Sequence, residues 1–204
     1  MSNLTFRSFA FAAFLIFLVF NLAYNLKAYV CLPSGLTSTL FFTSSSATMA
    51  SPSHLQVSLS QKSKSPPTVT LRVKNTHPDT ALTFVTWNTP LDGAILPLGN
   101  LVITHPSSGE RLNRDSIKIS RKTPPDADQF VTLAPGETRE QDVELKGPLV
   151  PLDKVDGGKV QVSCSGKWGD VWAGSEDVGP SSWDAKVGKG ASGEWESQAI
   201  EVEL

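Results

Sequence analysis

The 204-residue chain is 40% hydrophobic and 19% charged, with a formal net charge of −2; that length holds one ordinary domain or two small ones. Its first 48 residues carry only Arg7 and Lys27 and no acid, which leaves 16 basic against 20 acidic residues, net −4, in the rest. A chain so balanced lacks the basic footprint that displaces counterions from nucleic acid, and that partner class is excluded.

Residues 1–30 read as an apolar leader. Residues 9–20 are twelve consecutive apolar residues behind Arg7, the length and flank of a signal-peptide core. A membrane span needs about 20 apolar residues, and extending the run to Val30 takes in Asn21, Asn25 and Lys27. Cleavage after Ala23 or Ala28 would put Asn21 or Leu26 where a small residue is preferred. Residues 31–53 form a Ser/Thr-rich linker that contains Met49. Two readings of this end stand side by side. A working leader gives a secreted or membrane-anchored product, with the leader as its one membrane contact. Translation from Met49 gives a cytoplasmic one. The single N-x-Ser/Thr acceptor, Asn3-Leu4-Thr5, precedes the apolar run, and none lies in the domain.

Residues 54–204 read as one domain. Residues 55–60 and 69–74 alternate apolar and polar with period two, the mark of half-buried antiparallel strands. The polar, Pro-bearing stretch 62–67 turns the chain between them. Asn75-Thr76-His77-Pro78-Asp79 is a second turn, and residues 82–87 are a third strand ending on Trp87. Further strands are expected at 101–104, 117–121, 129–133 and 138–145, the last two separated by the turn Ala134-Pro135-Gly136-Glu137. Asp156-Gly157-Gly158 is a hairpin-type turn into a strand where Val160, Val162 and Cys164 share a face. Cys164 is therefore read as a small core residue, with a Cys31–Cys164 bridge as the alternative. Residues 168–195 read as a Gly- and Trp-rich loop, whose Gly-, Ser- and Asp-rich centre is 174–193. The chain closes with Ile200, Val202 and Leu204 alternating against Glu201 and Glu203. No window shows a helical apolar stripe. Seven to nine short antiparallel strands at this spacing predict an all-β, immunoglobulin-like sandwich.

Several segments together carry a family resemblance. Asn75, the run Val85-Thr86-Trp87-Asn88-Thr89-Pro90-Leu91-Asp92, and Val131-Thr132-Leu133-Ala134-Pro135-Gly136-Glu137 resemble the N-terminal pro-region of fungal deuterolysin-type metallopeptidases, the peptidyl-Lys metallopeptidases among them. The resemblance covers roughly residues 55–145. It implies a β-sandwich, and it implies a metallopeptidase domain acting in trans as a partner. The protease domain itself is not present. Its His-Glu-x-x-His helix holds zinc between imidazoles one turn apart, whereas His54, His77 and His105 are scattered.

The remaining chemical candidates are weak. Gly188-Lys189-Gly190-Ala191-Ser192-Gly193 fits G-x-G-x-x-G, but a strand-like tail follows where phosphate binding needs a helix; a flexible hairpin loop is the expectation. His77 and His105 adjoin prolines and read as solvated turn residues. Asp126 and Asp128 fall short of a calcium loop. No G-x-S-x-G elbow is present, and apolar surroundings would raise the pKa of Cys164. No catalytic, cofactor or metal residue is assigned. Trp87 and Trp195 read as core. Trp168, Trp172 and Trp183 are the candidate binding surface, since exposed aromatics give large contact area at low entropic cost. The sequence therefore points to a non-catalytic binding module. Its expected partner is a protein or, through the loop tryptophans, a cell-wall carbohydrate; alternatively it is a cytosolic protein that begins at Met49.

Overall fold

The computed structural model describes residues 50–155, 158–174 and 178–204. The leader, the linker up to Met49 with its Cys31, and Asp156-Gly157 of the expected hairpin turn lie outside the described residues. Nine strands follow one another: β1 (Leu55–Lys64), β2 (Pro67–Asn75), β3 (Leu82–Val85), β4 (Leu101–Thr104), β5 (Phe130–Leu133), β6 (Thr138–Glu144), β7 (Lys159–Ala173), β8 (Ala191–Glu196) and β9 (Ile200–Glu203). They form two antiparallel sheets. One has the order β1-β2-β6; in the other, β4, β3, β8 and β9 all pair with β7, and β5 pairs with β3.

Alternation explains the smaller sheet. β1 and β2 form a hairpin in which Val57 faces Val73 and Leu59 faces Leu71. Val69, Leu71 and Val73 are fully buried against the second sheet. The outward residues pair across strands, Arg72 with Glu140 and Lys62 with Asp142, exposed pairs that add little stability. The second sheet contributes Leu82, Phe84, Leu101, Ile103, Leu133, Val160, Val162, Cys164, Trp168 and Val202 to the same core. Trp168 meets Phe84 edge-on, ring centroids 5.0 Å apart, and lies 6.0 Å from Trp195. Asn75 ties the two sheets: it has no exposure, its Nδ2 donates to the carbonyls of Thr80 and Leu133 at 2.9 Å, and its Oδ1 accepts the His77 amide. A buried amide satisfied this fully fixes the approach of β2 to β5.

Three expectations are corrected here. Residues 117–121 do not form a strand. Asn113 lies beside β4 and replaces a strand neighbour with its side chain, accepting the Ile103 amide and donating to the Leu101 carbonyl. The following chain is left with Ile117 and Ile119 at 52% and 37% exposure. Trp87 lies in a turn just past β3, half-buried. The 168–195 stretch is not all loop: it begins in the last residues of β7, holds a short helix, Trp183–Lys186, and runs into β8.

Gly166 in β7 is where the core crosses most tightly. A Cβ there would lie 2.6 Å from Trp195 Cζ2 and 2.7 Å from Asn100 Nδ2. The ring is buried and cannot swing away, so Gly166→Ala is expected to destabilise the domain by about 2 kcal/mol, as overpacking does. Urea denaturation followed by tryptophan fluorescence measures it, and an unchanged midpoint would contradict the packing described.

Candidate functional site

The site begins with an interruption in the larger sheet. β7 pairs with β4 only as far as Cys164 and with β3 only from Val171 onward. Ser165 is still held from the β4 side: its amide donates to the Asn100 carbonyl and its carbonyl accepts from Asn100 Nδ2, both at 3.0 Å. Between these points residues 166–170 have no strand beside them on that edge, while β8 covers the other. The opening is a groove of about 610 Å³, lined by Lys167, Trp168 and Gly169 of β7 and by Trp87, Asn88 and Asn100.

A bulge in β7 shapes the groove. The register against β8 slips by one residue between Trp168 and Val171, and an extra residue reverses which face later side chains take. Trp168 therefore points into the core, 1% exposed, while Trp172 turns to the opposite face. There the 180s segment covers it. Trp183 stands edge-on to Trp87, Phe130 and Trp172, with centroids 6.0, 6.1 and 6.4 Å away. Trp172 Nε1 donates to the Lys186 carbonyl at 3.2 Å. Of the three sequence candidates, then, Trp168 is a core residue and not a contact surface. Trp172 lies in a strand, is 7% exposed and supports Trp183. Trp183 alone is half-exposed at the groove.

Sequence reasoning missed Trp87, Asn88, Asn100, Lys167 and Asp170 here. Trp87-Asn88 carried a usable signal, a turn before Pro90. Asn88 adopts φ +57°, a conformation Asn tolerates better than most residues. Its amide donates to Asp92 Oδ2 at 2.7 Å, and Asp92, 3% exposed, also accepts from Ala94 and Arg121. Thr89 Oγ1 closes the same turn on the Thr86 carbonyl. The residues that carry the pro-region resemblance therefore fasten a turn and, through Asn75, two sheets.

The glycine motif has a definite role. The amides of Gly188 and Gly190 donate to the two carboxylate oxygens of Asp170, at 2.7 and 2.9 Å. A Cβ on Gly190 would sit 2.8 Å from the Val171 backbone nitrogen. The amides that could have cradled a phosphate thus hold an internal carboxylate, and the expected flexible loop is a clasp between the bulge and β8. Asp170→Ala is expected to leave the core intact but to speed amide exchange at Gly188 and Gly190 by roughly ten-fold, the scale of about one lost charged hydrogen bond.

Other chemical groups are committed as well. His77 is 4% exposed, not solvated; its Nδ1 accepts the amides of Asp79 and Thr80, and its ring meets His54 at 4.7 Å. Asp126 pairs with Lys122. No three His, Cys, Asp or Glu side chains converge among the described residues. Burial pushes the Cys164 thiol up to about 11 from its ordinary 9.0, against a smaller lowering by Ser197. The folded state therefore holds this proton more tightly than the unfolded one. Its contribution is complete below about pH 9 and is lost as pH rises toward 11. Cys164→Ala should flatten that part of the stability–pH curve, and iodoacetamide should label native protein far more slowly than unfolded protein.

Nε1 of Trp87 and of Trp168, both buried behind the groove, lack protein acceptors among the described residues. With two amide side chains, an ammonium and aromatic surface around one opening, the arrangement can bind a polar ligand with apolar faces.

A family model described as an immunoglobulin-like domain matches residues 54–204. A protein of Arthroderma benhamiae (strain ATCC MYA-4681 / CBS 112371) named "Uncharacterized secreted protein" is 29% identical over 133 residues, 64% of this chain. The chain spans 65% of that relative's length. No solved structure matches the chain. The family match carries the sandwich implied by the pro-region resemblance, and nothing more of that resemblance. By that match over 151 of its residues, the chain belongs to the immunoglobulin-like domain family.

Proposed function

We propose that this domain is a non-catalytic binding module acting outside the cell, and that the groove beside the β7 bulge takes a saccharide chain. The observation that carries the reading is the juxtaposition of Trp87 and Trp183 with Asn88 and Asn100 at one opening in the sheet. A sugar ring presents C–H faces that lie against indoles and hydroxyls that both donate and accept, as primary amides do. About 610 Å³ is the size of a small-ligand cleft. Two features support an extracellular setting: the signal-like run at residues 9–20, and the word "secreted" in the relative's name. No helix among the described residues is long and apolar enough to cross a membrane.

Trp87, Trp172 and Trp183 stand outside the main hydrophobic core, so Trp183→Ala is expected to fold. Soluble chitin and β-glucan oligosaccharides titrated against tryptophan fluorescence should show saturable binding. Trp183→Ala should weaken it by about 30-fold, the effect of losing one aromatic anchor, and Asn88→Ala by several-fold. Equal affinity in parent and Trp183→Ala protein would remove the groove from consideration.

A second reading, a pro-region-like partner for a metallopeptidase domain supplied in trans, is supported by the resemblance at residues 85–92 and 131–137. It requires that the domain slow peptide cleavage by a deuterolysin-type protease. Because Asn75, Thr89 and Asp92 are buried and already used to hold the fold, these residues explain the resemblance without a partner, and the groove reading is preferred.

A further inference from the structure

A separate cleft of about 960 Å³ opens between the free edge of β1 and strands β8 and β9. β1 pairs only with β2. Thr76 donates to the His54 carbonyl, and Asn75 donates toward β6 to Glu137. In an antiparallel ladder these bonds fix the alternation: Gln56 and Ser58 face β2, so the backbone groups of Val57 and Leu59, with the Leu55 carbonyl, point away from β2 toward the cleft. The Leu55 amide is taken by the Pro52 carbonyl.

Edge protection is confined to the other half of the strand. A register shift falls between Gln61 and Ser63. Gln61 donates to the Glu203 carbonyl and accepts the Glu203 amide, closing β1 onto β9 there. Lys62 and Lys64 follow, paired with Asp142 and Glu203. A bulge, edge lysines and a covering contact are the usual devices that keep a strand edge from pairing. Residues 55–59 have none of them. Their cleft has a mixed lining, in which half-buried Val57, Leu59 and Ile200 stand with Trp195 beside the exposed acids Glu194 and Glu196. Neither acid makes a salt bridge among the described residues.

We infer that residues 55–59 of β1 are a docking edge for an extended segment of a partner protein, one that alternates apolar residues with basic ones. Backbone groups repeating every two residues, about 7 Å apart, are matched by another extended chain. Main-chain pairing supplies the affinity, and the alternate side chains supply the specificity. The apolar residues enter beside Val57 and Leu59, and the basic ones meet Glu194 and Glu196. This site shares no lining residue with the aromatic groove, and its test is independent of saccharide binding.

The probe is the synthetic heptapeptide Lys-Val-Lys-Val-Lys-Val-Lys, titrated into the full chain with amide hydrogen exchange and sedimentation as readouts. Saturation should slow exchange at Val57 and Leu59 about ten-fold or more, leaving the already paired Gln56 and Ser58 unchanged. Val57→Pro removes only an outward-facing amide and should abolish that protection at Leu59. If that variant does not fold, the peptide with proline at its central position makes the same test from the other side and should bind at least ten-fold more weakly. No protection at millimolar peptide would overturn the proposal. So would equal binding of the proline peptide, tighter binding of the Glu-Val analogue, or a dimer formed through β1 without peptide.

Discussion

The backbone ladder along β7 is the constraint on which the rest depends. Fifteen residues of one strand pair in turn with β9 and β4, then with β8 and β3. Only β5 in that sheet lies beyond its reach. Trp168 fills the crossing point between Phe84 and Trp195, and Gly166 leaves the room that Trp195 occupies. Each short partner strand contributes few hydrogen bonds of its own, so it is held by the length of β7 and by the core beneath it.

The bulge at Gly169-Asp170 turns that scaffold into something other than a regular sandwich. In an unbroken strand Trp168 and Trp172, four residues apart, would share a face. The inserted residue sends one into the core and the other outward. Asp170 is released at the same point to hold Gly188 and Gly190, which brings the Trp183 segment onto the outer face. The groove opens beside the bulge because β3 has ended and β4 has not begun. One local irregularity thus positions the aromatic cover, its fastening and the opening together.

Much of the sandwich was legible in the sequence because its signal is local. Period-two alternation located β1, β2 and the whole of β4, and placed Cys164 with Val160 and Val162. It failed at residues 117–121, where the pattern is equally good but the pairing positions beside β4 are already taken by the Asn113 side chain. Strand propensity carries no information about who occupies the neighbouring edge. The candidate site was less legible for the same reason. Four tryptophans within 28 positions advertised an aromatic cluster, yet its sorting into core, support and rim depends on the β7 bulge, and a register slip leaves no mark in composition. The Asp170 clasp was hidden too, because it joins residues 18 and 20 apart in the chain. Glycines at 188 and 190 indicated that backbone comes close to something, without identifying it.

The unpartnered indoles bear on where such a domain meets other molecules. Nε1 of Trp87, Trp168 and Trp195 are buried without a protein acceptor among the described residues. A buried donor left unpaired costs about 1–3 kcal/mol, a substantial fraction of a small domain's net stability. Here the cost is localised: Trp87 and Trp168 line the aromatic groove and Trp195 lines the β1 cleft. Among the described residues no other buried side-chain nitrogen or oxygen lacks a partner, as the three hydrogen bonds of Asn75 and the paired contacts of Asn113 illustrate. A fold that satisfies its interior amides and yet leaves three buried indole donors unpaired, all on rings that back its two openings, gives up stability at those places, and its packing there is set by more than the local hydrogen-bond balance.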